Sequence, residues 1–134
     1  MRLPRLDGRE LLAIYVGGVA GALGRVGLAQ AAPHGAGSWP WATFAANMAG
    51  ALLLGYFVTR LQERLPPSSY RRPFLGTGFC GAFTTFATLQ FELFSMLETG
   101  HLALAAAYTA ATLIGGFACI HLATAAVRRT RMAR

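Results

Sequence analysis

Charge is scarce in this chain, and most of it has one sign. Only 13% of the 134 residues are charged, against 54% hydrophobic, which leaves too little polar surface for a water-soluble domain of ordinary composition. Lysine is absent, and all twelve basic residues are arginine. No metal-ligand spacing, glycine-rich phosphate loop or Ser/His/Asp grouping occurs, so the sequence offers no enzyme chemistry. Cysteine is limited to Cys80 and Cys119, both in apolar stretches where a free thiol behaves as a small hydrophobe. A disulfide is therefore not expected.

Long hydrophobic runs are plentiful. A membrane span takes about 20 predominantly apolar residues, and four stretches qualify, near 11–30, 41–59, 74–97 and 102–127. We expect an all-α membrane protein in which residues 1–134 form one unit of four transmembrane helices. Ala29-Gln30-Ala31 mimics a signal-peptide cleavage site. Arg25 interrupts the preceding run, however, and three more hydrophobic segments follow, so the first segment reads as a retained span.

A net charge of +7 would suit nucleic acid, but the positions of the arginines argue for a membrane. Arg2, Arg5 and Arg9 precede the first span. Arg60, Arg64, Arg71 and Arg72 lie between the second and third, and Arg128, Arg129, Arg131 and Arg134 follow the last. These eleven fall on one side of a four-span arrangement, and the loops on the other side hold none. The positive-inside rule then places both termini in the cytoplasm of a multi-pass protein of the inner or plasma membrane, with lipid rather than nucleic acid as its partner.

Polar residues inside the spans mark where something other than a plain helix is needed. Gly17, Gly18, Gly21 and Gly24 share one helical face and let another backbone approach. Arg25, on the outer half of that span, either snorkels to the interface or forms an electropositive vestibule. Trp39 and Trp41 suit interfacial anchoring. Thr43, Asn47, Gly50 and Leu54 form a stripe. Its carboxamide either bridges helices or offers an N–H to an anion.

After the turn Leu65-Pro66-Pro67-Ser68-Ser69 and a helix-starting Pro73, residues 76–88 set glycines and hydroxyls where leucine would stand. This is either a broken span whose freed backbone groups face ions or a small-residue packing face. Phe79, Phe83 and Phe86 make an aromatic stripe along one face. It fits a core, although ring edges are positive and suit an anion. Glu92 is the one carboxylate inside a span and needs a partner or water. His34, His101 and His121 lie in separate regions, which suits packing or interfacial roles better than a proton relay. Tyr108, Thr112, Gly115 or Gly116, and Cys119 form a thin polar stripe on the last span.

Together these pieces resemble the CrcB/Fluc fluoride channel family. The resemblance is carried by Gly17-Gly18-Val19-Ala20-Gly21-Ala22-Leu23-Gly24-Arg25, by Thr43-Phe44-Ala45-Ala46-Asn47-Met48-Ala49-Gly50, by Gly78-Phe79-Cys80-Gly81-Ala82-Phe83-Thr84-Thr85-Phe86, and by the tyrosine of the last span. It implies a four-helix subunit with a broken third helix that works as an antiparallel dimer. Two fluoride pores would run along the subunit interface, with a structural sodium ion at the dimer centre. By motif, the sodium carbonyls are those of Gly81 and Thr84. The pore asparagine is Asn47, and Phe86, Thr88 and Tyr108 line the fluoride path together with Thr43 and Arg25. Fluoride is small and strongly hydrated, so a dry pore must replace its water with converging donors and positive edges.

Two departures qualify the resemblance. The family writes Thr-Thr-Phe-Ser-Thr-Phe, where this chain has Thr84-Thr85-Phe86-Ala87-Thr88-Leu89, so a serine and the second pore phenylalanine are missing. A chain that inserts both ways should show little arginine asymmetry, and this one shows eleven against none. The chain is therefore either one half of a homodimer with a tolerated leucine or the orientation-fixed partner of an inverted paralogue. Two other classes are a small proton-coupled multidrug exporter and a non-transporting assembly subunit. The first needs an acid in its substrate path, and residues 11–30 contain none.

Overall fold

The computed structural model describes residues 7–35, 37–63 and 70–129. Arg2, Arg5, Arg64, Arg131, Arg134 and the expected turn Leu65-Pro66-Pro67-Ser68-Ser69 lie outside the described residues. Helix α1 runs Gly8–Ala31 and starts at Asp7, whose carboxylate accepts from the Arg9 amide. Helix α2 runs Trp41–Glu63. A wide π-helical segment, Pro73–Cys80, follows with Pro73 in its first turn, where a missing N–H costs nothing. It continues into the single turn α3, Gly81–Phe83, and after a break into α4, Phe86–Glu98. Gly100, at φ +80, turns the chain into α5, Leu102–Arg129.

Helices α1, α2 and α5 hold 24, 23 and 28 residues, and all three are long and apolar enough to cross a membrane. They cover the first, second and fourth of the stretches singled out above. The third stretch is divided among three helical segments, separated where Thr84 (ψ 156) and Thr85 (ψ 119) are extended.

The packing is inverted relative to a soluble protein. Large apolar side chains on α1 and α5, among them Leu12, Leu23, Leu113, Ile114 and Phe117, point outward, while much of the interior is small: Ala42, Ala46, Cys80, Ala105 and Ala123. Lipid is as apolar as leucine, so large side chains have no reason to turn inward, and small residues bring backbones close instead.

The glycine face of α1 shows how close. Helix α1 lies mainly against Pro73–Cys80 and α3. A Cβ at Gly17 would strike the Phe74 carbonyl, one at Gly21 the Phe79 carbonyl, and one at Gly78 would come 2.5 Å from the Ile14 carbonyl. Gly24 receives the edge of the Phe83 ring instead. On the other side α2 packs along α5, where Gly55 leaves room for the backbone of Ile120. Their far ends are joined by the Thr59–Thr124 hydroxyl bond at 3.3 Å and by Arg128, which donates from Nε and Nη2 to Glu63 Oε1.

These contacts separate two substitutions of the same chemistry. Gly21→Ala should lower the unfolding midpoint in detergent by the equivalent of about 1–3 kcal/mol, because two backbones must move apart. Gly27→Ala meets nothing within 4 Å, so it should leave the midpoint unchanged or raise it through helix propensity, by about 1 kcal/mol at most. Equal midpoints for the two variants would contradict the packing described.

Candidate functional site

A helix that breaks inside a membrane releases backbone amides and carbonyls, each of which needs a partner. At Thr84–Thr85 the partners can be traced one by one. Thr84 still donates to the Cys80 carbonyl, from its amide at 3.1 Å and from its hydroxyl at 3.0 Å. Thr85 turns away. Its amide donates to Asn47 Oδ1 at 2.9 Å, and its carbonyl accepts from Asn47 Nδ2 at 3.2 Å. Its hydroxyl caps α4 by accepting from the Thr88 amide at 3.1 Å and donates to the Thr88 hydroxyl at 3.0 Å. From the α1 side, Arg25 Nε donates to the Ala82 carbonyl at 3.2 Å.

This accounting bears on the two carbonyls expected to hold sodium. In an unbroken helix the Gly81 carbonyl would accept from the Thr85 amide, and that of Thr84 from the Thr88 amide. Both amides are turned to side-chain oxygens instead. The Gly81 and Thr84 oxygens thus lack the donors a helix would supply, and uncharged carbonyl oxygens suit a hard cation. The two residues therefore fit such an ion.

Beside the break lies an open groove of about 410 Å³. Asn47, Gly81, Thr84, Phe86, Leu89 and Thr112 are among its lining residues. Gly50 is required here because a Cβ would strike the Thr84 methyl. Phe86 is 71% exposed, so none of the described residues encloses it. Leu89 packs against the Met96, Ala105 and Tyr108 cluster while facing the groove.

The other expected path residues meet elsewhere. Thr43 donates its hydroxyl to Glu92 Oε1 at 2.5 Å, and Tyr108 donates to Oε2 at 2.8 Å, so α2 and α5 converge on a carboxylate of α4. His34 Nε2 lies 3.5 Å from Oε1. Tyr108 is fully buried, edge-on to the Trp39 ring at 5.2 Å. Thr43 lies one helical turn before Asn47, so the two neighbourhoods share a face of α2.

Of the residues singled out from sequence, the fold thus gathers Asn47, Phe86, Gly81 and Thr84 around the groove, and Thr43 and Tyr108 around Glu92. The Thr88 hydroxyl accepts from that of Thr85, and Arg25 reaches the break from the opposite side. The expected aromatic stripe is divided. Phe79 and Phe83 stack at 5.5 Å against α1, while the extended residues at the break swing Phe86 onto the groove. Trp39 is half-buried in an aromatic cluster with Phe44 and Tyr108, whereas Trp41 stays exposed. Glu92 was visible as a lone carboxylate, but its partners come from three separate segments and no local spacing relates them.

Comparison with known proteins bears on this site. Residues 12–124 match the family described as CrcB-like protein, Camphor Resistance (CrcB). The chain is 54% identical over 132 residues, 98% of its own length and all of the relative's, to "Fluoride-specific ion channel FluC 1" of Mycobacterium bovis. It is 55% identical over 128 residues, 96% of this chain and 97% of the other, to the protein of that name from Mycolicibacterium paratuberculosis. It is 39% identical over 127 residues, 95% and 91% of the two chains, to "Fluoride-specific ion channel FluC 2" of Nocardia farcinica.

The Glu92 contacts predict a stability pattern. Thr43→Val or Tyr108→Phe should each destabilise the protein by about 1–3 kcal/mol, because a buried carboxylate loses a donor. The double variant should cost less than the sum, since both act on one group. Thermal unfolding in detergent checks this, and two additive or negligible effects would show that the carboxylate is satisfied by other means.

Proposed function

The chain belongs to the CrcB-like family, and from that membership we propose that it is a subunit of a fluoride-selective channel that lets fluoride leave the cell passively. It is a channel protein rather than an enzyme, a multi-pass protein of the cell membrane. In the finer reading, residues 74–97 form the broken third of four spans, and the active assembly is an antiparallel dimer with fluoride passing along the subunit interface.

The observation that carries this reading is the groove beside the break. It holds a carboxamide, a threonine hydroxyl and an exposed phenyl ring on an apolar wall, open on one side where a second subunit would close it. Asn47 uses one of its two amide hydrogens on the Thr85 carbonyl, which leaves the second for an anion. The positive edge of Phe86 offers a weak further contact. Thr43, Thr88 and Tyr108 extend the path, and Arg25 supplies positive charge from the α1 side of the break.

A sodium ion on the Gly81 and Thr84 carbonyls, when bound, would supply positive potential at the centre of the assembly. The residues' own part is to present those oxygens, through the hydrogen bonds that Asn47 and Thr85 take from the ladder. With donors spread along several positions, an anion is held at none of them too tightly to leave.

The arginine distribution favours one refinement. With eleven arginines on one side and none on the other, the chain inserts in a single orientation, and its antiparallel partner is an inverted paralogue that supplies the aromatic ring missing at Leu89. The homodimer with a tolerated leucine is the competing arrangement.

Two measurements test these readings. Purified protein in liposomes should pass fluoride and reject chloride, and Phe86→Ile should sharply lower that flux without loss of assembly. Asn47→Ala should do the same, with some loss of stability because it also unties Thr85. Wild-type flux in both variants would put the pore elsewhere, and flux no faster than that of empty liposomes would leave a partner-dependent or scaffolding subunit. Separately, single-cysteine labelling in cells expressing this chain alone should find the termini only on the cytoplasmic face. Labelling on both faces would remove the one-way arrangement.

A further inference from the structure

Glu92 is 6% exposed and sits between the hydroxyls of Thr43 and Tyr108, which form part of the path proposed above. Those two groups donate hydrogen bonds but bring no charge. A bare carboxylate in low dielectric repels any anion passing nearby, so a fluoride route beside it needs a counter-charge. Among the described residues, His34 is the one cationic or titratable nitrogen within ion-pair distance of Glu92, at 3.5 Å from Oε1.

His34 lies in the loop between α1 and α2, with its side chain 26% exposed. Together with Gly35, Phe91, Glu92, Ser95 and Met96 it lines a small, partly open cavity of about 120 Å³, room for a few waters. The imidazole therefore touches both the aqueous side and the buried carboxylate. The groups around the pair are few. Tyr108 faces Glu92 from α5 and Thr43 from α2, Ser95 is the polar neighbour on α4, and no charged group of α1 reaches it. His101 packs on Gly37 of the same loop, but its Nδ1 is engaged with the Thr99 hydroxyl at 2.9 Å.

We propose that His34 is the titratable counter-charge of Glu92, a positioning residue that sets how readily fluoride enters the route at this end of the subunit. Imidazole is the side chain whose charge changes within the range cells experience. With His34 protonated, the pair is neutral overall and a passing anion meets no net negative charge. With the proton lost, the carboxylate stands uncompensated and fluoride is repelled. Flux therefore falls as pH rises. The inference rests on the fluoride-channel reading, and in an antiparallel homodimer one such pair would face each side of the membrane.

The test uses the full chain in liposomes, with its natural partner subunit if one is required, and with pH equal on both sides. Fluoride flux above that of empty liposomes should fall about tenfold in the wild type as pH is raised from mildly acidic to mildly alkaline. His34→Arg, which keeps the charge, should hold the high flux across the range. His34→Gln should hold the low flux. A second readout does not need conduction: the carboxylate infrared band that disappears in Glu92→Gln should shift over the same pH range in the wild type and stay fixed in His34→Gln. A wild-type pH profile retained in His34→Gln, or a band that shifts equally in both proteins, overturns the proposal. An infrared response that depends on His34, found without any fluoride flux, supports the pair and counts against the channel reading instead.

Discussion

The structure depends on one constraint: inside hydrocarbon, a backbone that leaves the helix must find every lost hydrogen bond within the protein. The chain leaves the helix once within its third apolar stretch, at Thr84–Thr85, and the surrounding architecture supplies what is lost there. Asn47 pairs with both the amide and the carbonyl of Thr85. Arg25 takes the Ala82 carbonyl, and Thr85 caps the following helix with its own hydroxyl. What is left over is a pair of carbonyls, at Gly81 and Thr84, released without a backbone donor.

The small-residue packing serves the same end. Direct contact between the backbones of α1 and Pro73–Cys80, through Gly17, Gly21 and Gly78, fixes the stretch before the break to within the tolerance of a carbonyl oxygen. Gly50 fixes the break itself by admitting the Thr84 methyl. The side chains that make the hydrogen bonds of about 3 Å at the break thus meet a backbone already held in place by close packing. The large apolar side chains are left to face lipid, where their rotamer freedom does no harm.

Much of this was legible in the sequence, and the legible parts share a cause. Span positions follow from length and hydropathy, and the contact face of α1 follows from glycines three and four apart, so both are local. The chain's departure from an unbroken third helix was legible too, from residues 76–88, but its exact place was not. The glycines suggested themselves as the weak point, since they favour helix least. Yet Gly76, Gly78 and Gly81 are helical, and the extension falls on two β-branched threonines. Gly78 is used for close approach to α1, and Asn47, 38 residues away, decides where the chain opens. The meeting of Thr43, His34 and Tyr108 at Glu92 was hidden for the same reason: each belongs to a different segment and only the fold relates them. The aromatic spacing misled because helical periodicity does not carry across a break.

The clamp on Thr85 also has a consequence for how the protein is made. The chain emerges from its N-terminus, so α1 and α2, which carry Arg25 and Asn47, are already available when residues 73–98 arrive. Had the order been reversed, an open backbone would have stood in lipid waiting for its partners. In the proposed four-span arrangement the order of segments along the chain is thus also an order of assembly, in which α1 and α2 are in place before the broken segment arrives.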